Sequence, residues 1–409
     1  MITSEGGRGV GPEAMRGLGT PKGSPSIHLD ALRGFAAFSV LLNHWRDVFF
    51  VDYPELGRHD PFTAVAYLAT GLGHQWVIVF FVMSGYLVGG SVLRAVGSGR
   101  WTWRGYLLTR LTRLYIVLLP ALLLGGAADW AGMHVAGSDA LYSGHAGGHT
   151  FNADVHSTLS LPTLAANGLF LQGIALPGMA GKRVPTFGSN GPLWSLCNEF
   201  WYYIVFPMMI LTLDGRKKSW LARAGYGAAV LALVWFVGPS IALLGIPWLM
   251  GVLIPYLPRL PALGPWLRDS AIVTVLGLLA AGLAFAKTRP GLGSDLALGA
   301  IVTLLIWVTL HCATAPVPGA YAWIAQRSAH SSYTLYLIHV PVLLFFKAWF
   351  QLPRAIPSVS VLLVSAGVLA AIVLYAQLIY EVFEKNTARV RDWIKPYVMG
   401  SPKRAERAA

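Results

Sequence analysis

The sequence predicts an all-α integral membrane protein, a bundle of ten transmembrane helices with one short re-entrant or interfacial helix. Three observations lead there. Of 409 residues, 55% are hydrophobic and only 12% are charged, about half the charged share of a soluble domain. Mean hydropathy is +0.57. The apolar runs recur at lengths near the roughly 20 residues that a helix needs to cross a hydrocarbon core of ~30 Å, without the period-two alternation of an outer-membrane barrel.

The elements follow in chain order. Residues 1–26 are rich in Gly, Pro and Ser and lack the apolar core of a signal peptide, so they read as a disordered cytoplasmic leader. A membrane domain over 27–385 then carries spans at 29–50, 74–93, 106–127, 193–213, 220–237, 239–257, 270–287, 294–312, 328–349 and 358–382, and 386–409 form a basic tail. With the N-terminus inside, the inner connections hold Arg94, Arg100 and Arg104; Arg216, Lys217, Lys218 and Arg223; Arg259 and Arg268; and Arg327. The tail adds Lys385, Arg389, Arg391, Lys395, Lys403, Arg404 and Arg407. The outer connections carry Asp52, Glu55, Asp60, Asp129, Asp139 and Asp154, with scattered Arg58, Lys182 and Arg183. This asymmetry puts both termini in the cytoplasm. The formal net charge of +13 therefore reflects topology, and nucleic acid is not an expected partner.

Within the long outer connection 128–192, the stretch 161–176 is apolar but short. Counting it as a span would put Arg216, Lys217 and Lys218 outside, so it reads as the re-entrant or interfacial piece. Cys197 and Cys312 fall inside apolar segments and offer neither a disulfide framework nor metal-ligand spacing.

Ionisable residues inside a membrane are costly and by default functional. In HLDALRGFAAFSVLLNHWR, residues 28–46, Arg33 and His44 are eleven positions apart, which on a helix leaves them within roughly 20° of each other and roughly 16 Å apart along the axis. Asp30 stands three residues before Arg33, at ion-pair spacing. The stripe reads either as interfacial anchoring or as a cation aligned with an imidazole suited to general-base work. In YLLTRLTRLY, Arg110 and Arg113 lie one turn apart, as snorkelling anchors or as a multidentate seat for phosphates. In FFVMSGYL, Ser84 and Gly85 interrupt an apolar run, which signals close helix packing.

The stretch SNGPLWSLCNEFWYY, 189–203, sets Asn198 and Glu199 among Trp194, Trp201, Tyr202 and Tyr203. It reads as an aromatic belt or, preferably, as an outward-facing polar site with ring walls suited to sugars. In SSYTLYLIHVP, Tyr336 and His339 share a helix face, where packing and hydrogen bonding is the first reading. The loop residues His145, His149 and His156 have no carboxylate or thiolate at ligand spacing, so no metal is expected.

Taken in order, HLDALRGFAAFSVLLNHW, FFVMSGYL, the RLTR pair, GPLWSLCNEFWYY and SSYTLYLIHVP resemble the membrane acyltransferase-3 family of bacterial O-acyltransferases, over about residues 28–385. The resemblance implies ten membrane helices in the bacterial inner membrane. It also implies a cytosolic acyl-CoA donor, commonly acetyl-CoA, and transfer to a hydroxyl of an extracytoplasmic glycan such as exopolysaccharide or O-antigen. Carried over, Arg33 and His44 match the family's first-helix Arg and His, Arg110 and Arg113 its Arg-x-x-Arg pair, Glu199 its carboxylate, and Tyr336 and His339 its late Tyr and His. His44, Glu199 and Arg33 are then the expected catalytic residues; Arg110, Arg113 and Arg33 the acyl-CoA-binding ones. Trp194, Asn198, Tyr202, Tyr336 and His339 are expected to bind the acceptor. One departure is that Cys197 and Asn198 stand where many relatives have Ser or Val followed by Glu. A small-molecule acceptor such as a macrolide is the runner-up, and machinery of polysaccharide synthesis or export is a conceivable partner. A transporter or flippase would use similar intramembrane charges, but no inverted repeat is visible.

Overall fold

The computed structural model describes residues 23–57, 59–144, 154–179, 181–215 and 219–400. The expectations for the leader up to residue 22, and for Arg58, His145, His149, Arg216, Lys217, Lys218, Lys403, Arg404 and Arg407, fall outside the described residues. Among the described residues there is no strand, only an isolated bridge between Phe50 and Ala355.

Helix α1 (Ser24–Phe49) starts with Pro25 in its first turn, where the missing N–H costs nothing. Helix α2 (Pro61–Ala69) is capped by Asp60, which accepts from Thr63 N at 3.0 Å. Helix α3 (Gly73–Ser84) runs through a π turn, Gly85–Gly89, into α4 (Gly90–Gly97). Helix α5 (Trp103–Met133) is capped by Thr102, and the short helix α6 (Leu161–Gly168) by Ser160. Then follow α7 (Leu193–Leu213), α8 (Trp220–Leu253), α9 (Pro265–Thr288) and α10 (Leu292–Cys312). The chain ends in α11 (Gly319–His330), α12 (Ser332–Trp349), α13 (Val359–Val382) and α14 (Thr387–Met399). The basic tail is thus helical up to Met399.

Eight helical segments among the described residues are long and apolar enough to cross a membrane. Two differences separate this from the expected ten. Helix α1 carries Asp30, Arg33, Asn43, His44, Arg46 and Asp47, which lower its hydropathy below that of the other long helices. The expected spans 220–237 and 239–257 run together as α8, interrupted at Gly238, whose φ of 79° and ψ of 169° are not helical. Positive φ is accessible to Gly at no steric cost, and Pro239 disfavours the helical region for the residue before it. Unbroken, 34 residues would extend roughly 51 Å, well beyond the ~30 Å of a hydrocarbon core. The piece expected as re-entrant over 161–176 is helical only over eight residues, Leu161–Gly168. Its remainder forms a loop tied to the bundle through Phe170 O, which accepts from Trp201 Nε1 at 2.9 Å and Cys197 Sγ at 3.0 Å.

Long apolar faces stay uncovered: Trp235 is 85% exposed, Leu363 70% and Leu374 71%. Faces of that extent have lipid as their natural solvent. Inside, α3 and α8 meet backbone to backbone. A Cβ on Gly85 would collide with Trp248 O, and one on Gly251 with Val82 O, so only Gly permits this approach. At the end opposite Arg33, Trp45 Nε1 donates to Ser365 O at 2.8 Å, Lys347 Nζ to Val48 O at 2.5 Å, and Arg354 pairs with Asp52 at 3.0 Å. These contacts tie α1 to α12 and α13.

Candidate active site

Five elements, α1, α3 with its π turn, α5, α7 and α12, enclose a cavity of about 180 Å³. Its charged lining is Arg33 from α1, Arg110 and Arg113 from α5, and Glu199 from α7. Arg33 and Arg110 are half-buried and Arg113 is exposed, so the guanidinium end meets solvent. Apolar side chains, among them Phe80, Met83 and Leu87, make much of the remaining wall.

Each charge is held. Arg33 pairs with Asp30 at 3.3 Å, as the i,i+3 spacing requires. Arg110 donates from Nη2 to Ser91 Oγ at 3.0 Å and lies over the rings of Tyr106 and Tyr203, 5.7 Å from each centroid. Arg33 and Arg113 share the field of Glu384. That carboxylate is fixed by Thr334, whose N donates at 3.2 Å and whose Oγ1 donates at 2.6 Å. Glu199 accepts from Ser84 Oγ at 2.7 Å and from the Tyr203 hydroxyl one turn along α7. Ser84 is itself fixed by Trp248 Nε1 at 3.1 Å.

The structure brings Arg33, Arg110, Arg113, Glu199 and Tyr336 to one cavity and leaves the other expected residues off its wall. Glu199 therefore does not form an outward site apart from the arginines, because its side chain turns from α7 toward Ser84 at the C-terminal end of α3. Asn198 and Tyr202 are buried. The Tyr202 hydroxyl donates to Ile241 O at 2.7 Å, so Tyr202 joins α7 to α8. Trp194 stacks on His74 at 6.0 Å and meets Phe81, a cavity residue, edge-on at 6.2 Å.

Arg33 and His44 do share a face, and that face is turned to α12. Arg33 lies on the wall with Ser332, Tyr333 and Tyr336. His44 stands 5.1 Å, ring to ring, from His339, which in turn is 6.1 Å from Tyr336. His44 thus does not line the cavity; two aromatic rings separate it. His339 Nδ1 is bonded to Leu335 O at 3.0 Å, while its Nε2 and His44 Nδ1 are buried without a partner. Buried polar atoms with unused capacity are rare. Tyr336 closes the wall through its hydroxyl, 2.7 Å from Ser195 Oγ and 3.3 Å from Pro192 O, to which it donates.

Sequence reasoning assigns no site role to Tyr333 or Glu384, and places Tyr203 at the site only as a ring wall. For Ser84 the signal is a hydroxyl inside an apolar run beside glycines; the packing it suggests holds for Gly85, while the Ser84 hydroxyl bonds Glu199. Among the described residues, no group of three His, Cys, Asp or Glu side chains is arranged to hold a metal.

A helical bundle with apolar flanks open to lipid and a charged internal cavity defines a multi-pass membrane protein with an enclosed site. Residues 27–376 match the family model described as "Acyltransferase domain", so the chain belongs to the acyltransferase-3 family and is an enzyme that transfers acyl groups. Among characterised proteins, it is similar to the Acyltransferase MdmB of Streptomyces mycarofaciens, 24% identical over 349 residues, covering 77% of this chain and 78% of that protein. No solved structure matches the chain significantly.

Proposed function

We propose that the enzyme is an O-acyltransferase of the bacterial cell membrane, with ten spans and both termini in the cytoplasm. It moves an acyl group, acetyl in the simplest case, from cytosolic acyl-CoA to a hydroxyl of an extracytoplasmic glycan. One observation carries this reading: three guanidinium groups and one carboxylate face a single cavity. Guanidinium forks suit the phosphates of a nucleotide thioester, and the exposed position of Arg113 lets such a donor enter from solvent. A volume of about 180 Å³ is below the roughly 300 Å³ of small-molecule sites, so it takes the thioester arm while the nucleotide stays outside.

In the reaction the acceptor oxygen attacks the thioester carbonyl, a C–O bond forms, the C–S bond breaks and CoA leaves as the thiolate. The hydroxyl proton passes to a base. His44 is assigned to that task, as base or as the nucleophile that first takes the acyl group; either role requires the rings of Tyr336 and His339, which stand between it and the cavity, to swing aside when substrate binds. Glu199, oriented by Ser84 and Tyr203, holds the acceptor hydroxyl, and Arg33 the donor. Trp194, Asn198 and Tyr202 belong to the acceptor side in this reading. A macrolide-type small molecule is the alternative acceptor.

The test is release of free CoA from acetyl-CoA by purified protein supplied with the glycan fraction of its host. Turnover that falls at least ~10-fold in Arg113→Glu, through weaker donor binding, supports the reading. Movement of glycan without CoA release, or unchanged donor affinity in the variant, sinks it.

A further inference from the structure

Away from the cavity, a second cluster gathers where α1, α2 and α3 meet the C-terminal end of α9 and the start of α10. Arg46 Nη1 and Lys287 Cε each lie 3.3 Å from the position of a Cβ on Gly71, so the two cations sit side by side. Arg46 lies over the Tyr67 ring at 5.3 Å and donates to Tyr67 O at 3.4 Å. Among the described residues neither cation forms an ion pair with a carboxylate, although Asp47 lies within the field of Lys287. Three residues beyond Gly71, His74 Nε2 meets both oxygens of the nearly buried Asp295 at 3.0 Å. Its ring stacks on Trp194, and its neighbour Gln75 donates to Ala286 O at 3.2 Å, beside Lys287.

In the proposed topology this cluster is on the outer face, where basic residues are disfavoured. Two other outer cations are spoken for: Arg354 pairs with Asp52, and Lys347 donates to Val48 O. Asp47 lies in the field of Lys287, but the two neighbouring cations outnumber it, so an anion seated between them offsets their mutual repulsion. Trp194 then gives direction, since it touches His74 on one side and the cavity residue Phe81 on the other.

We propose that Arg46 and Lys287 form an anion-recognition subsite for the acyl acceptor, which therefore carries a carboxylate or phosphate close to the hydroxyl that is acylated. The His74–Asp295 pair, with its imidazole stacked on Trp194, supports the adjoining sugar ring. This inference rests on the acyltransferase reading and adds to it the chemical class of the acceptor.

Purified full-length protein in nanodiscs is titrated with three probes: an oligoglucuronide, its carboxyl-reduced neutral counterpart, and an oligomer of glycerol phosphate. The expected result is that one of the two anionic probes binds at least ~10-fold more tightly than the neutral one, equivalent to about 1.4 kcal/mol. Which anionic probe prevails identifies the carboxylate or phosphate source. The preference disappears in Arg46→Gln and Lys287→Gln, survives in Arg46→Lys, and weakens with added salt. Equal affinity for all three probes, or a preference untouched in the double variant, overturns the inference. Acetyl-CoA binding by the wild-type protein is measured in parallel. Failure there condemns the acyltransferase reading, whereas donor binding with indifference to acceptor charge condemns only the subsite.

Discussion

Replacing Ser84 with Ala removes one oxygen at the junction of α3, α7 and α8. The hydroxyl donates to Glu199 at 2.7 Å, accepts from Trp248 Nε1 at 3.1 Å and lies 3.2 Å from the Tyr203 hydroxyl. In water a hydrogen bond to a carboxylate is worth ~1.5–3 kcal/mol on its own. Between membrane helices the measured mean is only ~0.6 kcal/mol, with a maximum near ~1.7 kcal/mol. The membrane figure applies here; the Ser84 proton goes to Glu199 and the Tyr203 proton goes there too, so two such bonds are lost, about 1.2 kcal/mol or an equilibrium factor of roughly 8. Unfolding in mixed micelles should register this loss, and Ser84→Thr, which keeps the hydroxyl, should recover most of it. Because the same oxygen orients Glu199, acyl transfer by the folded Ala variant should fall by about 10-fold or more. Wild-type stability together with wild-type turnover in that variant would refute both the contact and its role.

Two further outcomes are expected. His44→Ala should lower acyl transfer by at least ~10²-fold while the protein stays folded, the low end of a general base's contribution, and adding His339→Ala should cost little more if the two imidazoles act as a unit; normal turnover in His44→Ala, measured as CoA release, removes it from the mechanism. Gly85→Ala pushes a methyl group against Trp248 O, a backbone atom that cannot swing aside, so a loss at or above the upper end of the ~1–3 kcal/mol usual for overpacking is expected, and an unchanged melting temperature would argue against the seam.

Much of the bundle was legible because a span needs little more than length and hydrophobicity. The exceptions have local causes. Helix α1 carries Asp30, Arg33, Asn43, His44, Arg46 and Asp47, and these polar side chains dilute the very signal that marks a span. The break in α8 was readable in Gly238-Pro239, whereas the end of α6 at Gly168 depends on loop bonds to α7 that periodicity cannot show. For the site, Arg33 with Arg110 and Arg113, and also Glu199 and Tyr336, were legible as polar groups in apolar runs. Their convergence on one cavity was not, since it depends on the π turn after Ser84, which shifts the register of the wall. Glu384 stayed hidden because it lies past the last span, where a carboxylate is ordinary; only folding sets it beside Arg33 and Arg113.

The seam at Gly85 and Gly251 separates what the bundle must keep from what it can change. Its cohesion there comes from main chain touching main chain, whereas Phe80, Met83 and Leu87 on the cavity wall set the shape of the cavity. A scaffold of that kind can acquire a different donor length or acceptor by exchanging a few interior side chains, with its architecture undisturbed.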